Sequence, residues 1–278
     1  MSVILISYAN KAFYRSQQDL KKSAYLHGVD KVIDYNDIWI KRQTEFLKKN
    51  KHILFQKRGN GNWLWKPYII LDALMQMNEN DVMLYIDAGS TIINSVIPLV
   101  ELAMKQEIVV FYNNGHKNKI WTKRDCFYYM DCDTEKYHEA NQLLAGYIVL
   151  KKTSKTLSLL SEWLQYAEDE RVLTDLQNTC GLPDLDGFKD HRHDQSILSL
   201  LACKYNIELF RDPSQWGNKY KMPDYRVPGE FVEDGYVDQS FHNSPYPTIL
   251  NGHRMKLKMN IIDSAKYFLM KFHFGKYE

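Results

Sequence analysis

Short apolar runs alternate along this chain with longer stretches in which apolar positions recur every three or four residues. "SVILISYAN" is a run of the first kind, breaking into a polar loop at Tyr8 to Asn10. "KVIDYN", "VMLYI" (82 to 86), "EIVVFY" (107 to 112), "LLAGYIVLKK" (143 to 152) and "IELF" are others. Runs of this length and composition predict strands buried on both faces, the habit of parallel sheets. Helical spacing covers Ser16 to His27, with Leu20, Ala24 and Leu26, and Gly28 ends it. It returns near Ile38 to Lys49, and again after "KRGNGNWLWKP", where Pro67 occupies a first turn that has no use for its missing N–H. "TLSLLSEWLQYAED" carries Leu157, Leu160, Leu164 and Ala167 on one stripe, and "HRHDQSILSLLACKY" predicts a helix entered through His193 and Asp194. Strands alternating with helices predict an α/β fold with a mostly parallel central sheet flanked by helices. Residues 211 to 255, rich in Pro, Gly, Asp and Tyr, predict irregular structure. No repeat or low-complexity linker divides the chain, so residues 1–255 are expected to form one domain, followed by a tail over 256–278.

In that tail, Ile261, Ile262, Ala265, Phe268, Leu269 and Phe272 share one face of a helix, surrounded by Lys256, Lys258, Lys266, Lys271 and Lys276. Either the apolar face docks on the core and the lysines are solvated, or the helix lies in an anionic membrane surface.

Composition narrows the field. Across 278 residues, 36 Lys and Arg nearly balance 34 Asp and Glu, so no overall field draws the chain to nucleic acid. The 19 Tyr and 6 Trp make the aromatic content high; such rings often line sites for bases or sugars, and core packing alone explains many of them. Cys126, Cys132, Cys180 and Cys203 show no CxxC spacing, which predicts reduced thiols and a cytoplasmic setting. The apolar run Val3 to Ile6 is too short for a secretory leader, and no stretch approaches the ~20 apolar residues of a membrane span.

Several clusters are candidates for chemistry. "RGNGNWLWKP" is not a phosphate loop of the GxxxxGK[ST] kind, but it precedes a helix and carries Arg58 and Lys66. Backbone N–H groups at a helix start with two cations nearby make a candidate anion site; the alternative is a structural loop anchored by Trp63 and Trp65. Asp87 ends the strand at 82 to 86, where a carboxylate can hold a divalent cation or simply cap a turn. "WTKRDCF" adds Lys123, Arg124 and Asp125, and "HRHDQSIL" adds His191, His193, Asp194 and Gln195. His242 and His253 lie within the irregular stretch. No GxSxG, HExxH or Cys–His pattern supports a serine hydrolase or a zinc protease.

In order, "SYAN", "RGNGNWLWKP", "LYIDAGS", "LLAGYIVL" and "HDQSIL" resemble the motifs of GT-A-fold nucleotide-sugar glycosyltransferases, in particular the retaining galactosyl- and glucosyltransferases of bacterial lipooligosaccharide and capsule synthesis. The resemblance spans roughly residues 3 to 255. It implies that Tyr8 and Ala9 contact the nucleoside, with Trp65 beside them. Arg58 and Lys66 would face the diphosphate or the donor sugar, and Lys123 and Arg124 the donor. Asp87, followed by Ala88 and Gly89, would take the first position of an Asp-x-Asp. Ala145 and Gly146 would floor the sugar pocket, and Asp194 and Gln195 would stand at the reacting face. It also implies a basic amphipathic tail holding the enzyme on the inner leaflet of the cytoplasmic membrane, a UDP-linked hexose donor and a glycan or glycolipid acceptor. The departures are that Gly89 replaces the second carboxylate and that a His-x-x-Gly-x-x-Lys-Pro-Trp is missing. Two arrangements follow. Mn²⁺ or Mg²⁺ is held by Asp87 and a late histidine, His253 or His242, or else Arg58, Lys66, Lys123 and Arg124 neutralise the diphosphate without metal. The metal is the expectation carried forward, as is retention of configuration. An inverting enzyme would need a base, for which Asp125 and Asp194 are the candidates. A sugar nucleotidyltransferase and a non-catalytic nucleotide- or sugar-binding protein are the alternatives. The first lacks its glycine-rich basic loop after the first strand, and the second has only Gly89 in its favour.

Overall fold

The structure is a computed structural model that describes residues 1–217 and 241–270. Its central sheet contains β1 (Val3–Ala9), β2 (Lys31–Asn36), β3 (Val82–Ile86), β5 (Ile108–Lys117), β6 (Asn141–Lys151) and β7 (Leu209–Phe210), in the order β2-β1-β3-β6-β5-β7. The two-residue strands β4 (Thr91–Ile92) and β8 (Leu250–Asn251) pair apart from it. β1 runs parallel to β2 and β3, and β5 runs parallel to β7; β6 alone is antiparallel to both its neighbours. The α/β class and the mostly parallel sheet are therefore as expected.

Alternation along the strands divides the core into two layers. Ile4, Ile6 and Tyr8 of β1, with Met83 and Tyr85 of β3, face one cluster, packed under the helices Trp65–Gln76, Ser154–Ala167 and Asp194–Lys204. Val3, Leu5, Val82, Leu84 and Ile86 face the other, under the helices Tyr14–Leu26 and Ile97–Gln106. With both faces covered, β1 and β3 are buried along their whole length.

Several expectations shift. The helix expected at Ile38 to Lys49 is two, Asp37–Arg42 and Thr44–Leu54, the first capped by Asn36, whose side chain accepts from the Trp39 N–H. Leu20 and Ala24 are buried, but Leu26 is exposed as its helix ends. In Ser154–Ala167 the buried stripe is Leu159, Leu160, Trp163 and Ala167, while Leu157 and Leu164 are only partly covered. The helix is turned to bury the whole Trp163 indole, whose Nε1 donates to Asp194 O at 3.1 Å.

The largest departure is in the tail. The helix Ile261–Leu269 meets the body through Asp263 and Tyr267: Arg15 Nη1 donates to Asp263 Oδ2 (3.0 Å) and Tyr267 Oη to Asp37 Oδ1 (2.6 Å). Ile261, Ile262, Phe268 and Leu269 point outward, with Ile261 88% exposed. The apolar face stays largely exposed, and the face that carries Asp263 and Tyr267 is the buried one. Lys271, Phe272 and Lys276 lie outside the described residues. Among the described residues no helix is long and apolar enough to cross a membrane, and all four cysteines are free.

The orientation of Ser154–Ala167 is testable by urea denaturation. Trp163→Ala is expected to cost about 3–5 kcal/mol, and Leu164→Ala a small fraction of that; the reverse ranking would contradict the assigned face.

Candidate functional site

A cavity of about 510 Å³ opens at the carboxyl ends of β1 and β3, where open α/β sheets commonly take ligands. Tyr85 and Asp87 are two residues apart, so both side chains point toward the helices Trp65–Gln76 and Asp194–Lys204. Those helices supply Lys66 and Asp194. The Lys66 ammonium, 3% exposed, lies 2.7 Å from Asp194 Oδ2 and 3.8 Å from Asp87 Oδ1, and it donates to Ala145 O at 3.1 Å. Tyr85 Oη donates to Asp87 Oδ1 at 2.5 Å. Oδ1 is thus fixed from beneath, while the Asp87 side chain, 47% exposed, keeps Oδ2 for a ligand. The Asp87 N–H donates to Gly146 O at 2.9 Å, and a Cβ on Gly146 would stand 3.1 Å from Asp87 Oδ2, so a side chain there would crowd the carboxylate.

Tyr8 and Trp65 stack with ring centroids 3.8 Å apart, and Phe13 and Trp63 extend this aromatic wall. Asn60 Nδ2 donates to Tyr8 Oη at 3.2 Å. The loop bearing Asn60 and Trp63 has five consecutive residues in the left-handed region, Gly59 to Trp63, with φ from +50° to +92°. That conformation costs a side-chain-bearing residue about 1–2 kcal/mol, which explains the run of Gly and Asn. A Cβ on Gly61 would lie 2.7 Å from Leu54 Cα. The backbone N–H groups here are already used: Gly61 donates to Gln56 O, Asn62 to Arg58 O and Leu64 to Gly61 O. The amide anion site expected at this loop is therefore not formed.

Of the residues singled out from the sequence, Tyr8, Ala9, Trp65, Asp87, Ala88, Gly89, Gly146 and Gln195 line the cavity. Lys66, Asp194 and Ala145 lie directly beneath it as buried support. Gln195 Nε2 donates to Gln142 Oε1 at 2.7 Å, which orients its amide. Four others are held elsewhere. Arg58 pairs with Asp175 and Asp190 and lines a separate polar cavity with Lys123. The Lys123 ammonium donates to Leu176 O, Arg124 pairs with Asp133, and Asp125 is fully buried. Burial raises the Asp125 carboxyl, but N–H groups of Thr179 and Cys180 outweigh it and hold it below its ordinary range.

His242 is exposed and His253 buried, and neither lines the cavity. His253 Nδ1 accepts from the Met255 N–H at 3.0 Å. Among the described residues no three His, Cys, Asp or Glu gather as a metal site. Asp87 offers one unshared oxygen beside an ammonium, a poor donor set for a divalent ion. Sequence reasoning missed Tyr147, Asn60, Lys57 and, above all, Arg254, all on the cavity wall. Arg254 follows His253 in "NGHRM", and only its pairing with Gly89, distant in sequence, marks it out.

No family model matches the chain, and a search of curated proteins found no match either. Among solved structures, the chain is similar to apo mouse xyloside xylosyltransferase 1 at 11% identity, covering 91% of this chain and 97% of that one, with a TM-score of 0.47. It is similar to the bifunctional glycosyltransferase WbbM at 11% identity (72% and 37% covered, TM-score 0.42). It is similar to the glycosyltransferase GlyE of Streptococcus pneumoniae at 15% identity (76% and 45% covered, TM-score 0.38). This chain spans under half the length of the last two.

The buried pair generates a pH test. Burial lifts the Asp194 carboxyl to about 6, with Lys66 opposing the rise. Lys66 is itself held above its ordinary value: burial lowers it, but Asp194 and Asp87 more than compensate. Because the folded Asp194 titrates above its unfolded value of about 4, the native state takes up this proton first. The group therefore favours folding most at low pH, and that contribution is lost as the pH rises from about 4 to about 6. Lys66→Met removes the opposing cation and is expected to cost about 3–5 kcal/mol at pH 8. The loss should shrink at pH 5, where Asp194 is neutral, and also in the Lys66→Met/Asp194→Leu double variant. Denaturant melts at the two pH values check this; an equal loss at both would contradict the pairing.

Proposed function

We propose that the protein is a glycosyltransferase that moves a hexose from a UDP-linked donor to a glycan or glycolipid acceptor of the lipopolysaccharide, O-antigen or capsule type, with retention of configuration. One observation carries the reading: an aromatic wall, Tyr8, Phe13, Trp63 and Trp65, adjoins a half-exposed carboxylate, Asp87, in one cavity at the strand ends. Aromatic faces suit a base or the apolar face of a sugar, and a fixed carboxylate suits sugar hydroxyls.

Transfer breaks the bond between the anomeric carbon and a diphosphate oxygen, whose electron pair leaves with the diphosphate. The acceptor hydroxyl forms the new bond. The sugar gains positive charge in the transition state, and the Gln195 side-chain carbonyl and Asp87 are the polar groups placed to stabilise it. Asp87 is the only carboxylate among the described lining residues, and no histidine joins it. With retention, the acceptor's proton passes to the departing diphosphate on the same face. Buried Asp194 and Asp125 are poorly placed as bases. Where the resemblance suggests Mn²⁺ or Mg²⁺, Asp87 is the one carboxylate among the described lining residues that could hold it.

Donor hydrolysis and transfer with a panel of nucleotide sugars test the reading. Asp87→Asn and Gln195→Ala are each expected to lower kcat by at least about 100-fold, the scale of losing one preorganised polar group at the reacting centre. Near-normal turnover by both would sink the assignment, as would failure of every nucleotide sugar.

The reading extends to place. The outward face of Ile261–Leu269, with Lys256, Lys258 and Lys266 exposed nearby, suits the anionic cytoplasmic surface of a membrane that carries a glycolipid acceptor. The Ile262→Glu/Phe268→Glu variant removes two inserted side chains worth about 1.5–3 kcal/mol each. It should bind phosphatidylglycerol vesicles more than about tenfold less in co-sedimentation while hydrolysing donor normally; undiminished vesicle binding would refute the placement.

A further inference from the structure

Gly89 stands where the resemblance puts a second carboxylate, and the structure shows what fills that space. The Gly89 carbonyl accepts from the Arg254 N–H at 2.7 Å, and a Cβ on Gly89 would lie 2.9 Å from Arg254 Cα. Any side chain at position 89, an aspartate included, collides with the main chain at 254. A second carboxylate here and this course of the later segment are therefore mutually exclusive.

The segment is also firmly held. Ser16 Oγ donates to Met255 O at 2.6 Å and receives the Leu257 N–H at 3.4 Å, while β8 pairs with β4 just upstream. Arg254 itself adopts φ +55°, a conformation that costs a residue with a side chain. Its side chain lines the cavity with Asp87, Gly89 and Ser90. Among the described residues it makes no ion pair, although its charge is felt by Asp212, Tyr147 and Arg192. The described lining has one carboxylate, Asp87, against two cations, Lys57 and Arg254, a net charge of −1 + 2 = +1. Lys66 lies just beneath but is balanced there by Asp194, so the excess positive charge is that of Lys57 and Arg254 on the lining. A divalent cation would meet this positive field, whereas a diphosphate would be drawn into it.

We propose that Arg254 is the cation that holds the donor's diphosphate, while its main chain closes the space that a second metal-binding carboxylate would otherwise occupy, so that donor binding needs no divalent ion. A guanidinium offers paired N–H donors matched to phosphate oxygens and keeps its charge at any working pH. As the glycosidic bond breaks, the same contact stabilises the negative charge gathering on the leaving group. The inference rests on the nucleotide-sugar reading above and deepens it.

Calorimetry with UDP and UMP, in EDTA and in Mn²⁺, tests it on the full chain. The wild type should bind UDP in EDTA within about threefold of its affinity in Mn²⁺, and should prefer UDP to UMP. Arg254→Ala should weaken UDP binding about 10- to 100-fold, the loss expected for a charge-assisted contact, and erase the preference over UMP. Arg254→Lys should recover part of it. Arg254→Gly, whose backbone accepts φ +55° without strain, should fold at least as well as Arg254→Ala and show the same loss, which excludes misfolding as the cause. UDP binding by the wild type only with Mn²⁺ would overturn the inference and leave the functional reading standing. So would unaltered UDP binding by Arg254→Ala. No binding of UDP, GDP, ADP or CDP in either condition would overturn both.

Discussion

The Lys66–Asp194 ion pair, sealed beneath the cavity, is the constraint from which the site's geometry follows. An ammonium so deeply buried demands a carboxylate in contact, and two charges there are tolerable only while both are present. The pair joins the start of one helix to the start of another, and it approaches Asp87 from below. Asp87 therefore meets the cavity with one oxygen committed and one presented. The same ammonium ties in the Ala145 carbonyl, so β6 is drawn into the arrangement at the point where Gly146 makes room for the carboxylate. His193, with φ +51° at the entry to its helix, shows that the backbone accepts strain to bring Asp194 into place.

Two kinds of structure meet at the cavity. One wall is regular: strand ends and helix starts, fixed by burial on both sides of the sheet. The other is irregular: the left-handed turn Gly59 to Trp63 and the late segment crossing Gly89. The regular wall supplies the buried charges and the stacked pair Tyr8 and Trp65, and the irregular one adds Phe13, Trp63 and the exposed cations. That division suits a site whose chemistry must be fixed while its ligand contacts remain accessible.

The regular wall is also the part legible in the sequence. The buried strands announce themselves as apolar runs, and Asp87 at the end of one is conspicuous because a charge follows five apolar residues. "WLWKP" and "HDQS" are visible as helix starts, and both do converge on Asp87. Their depth is not visible: Lys66 and Asp194 read as reactive groups but serve as buried support, a distinction set by packing between distant segments. Arg58, Lys123, Arg124 and Asp125 are drawn off by partners near residues 133, 175 to 180 and 190, which no local pattern foretells. The tail misleads for a related reason. Periodicity identifies its apolar face, but Tyr267 and Asp263 are the residues buried against the body, while Ile261, Ile262, Phe268 and Leu269 stay largely exposed.

The contact between Gly89 and Arg254 ties the two walls of the cavity to one another. Its two halves are separated by most of the chain, and the later half comes from the stretch after β8. Because the Arg254 N–H is bonded to the Gly89 carbonyl, any displacement of that late stretch would carry the Arg254 side chain away from Asp87 and widen the cavity in the same movement.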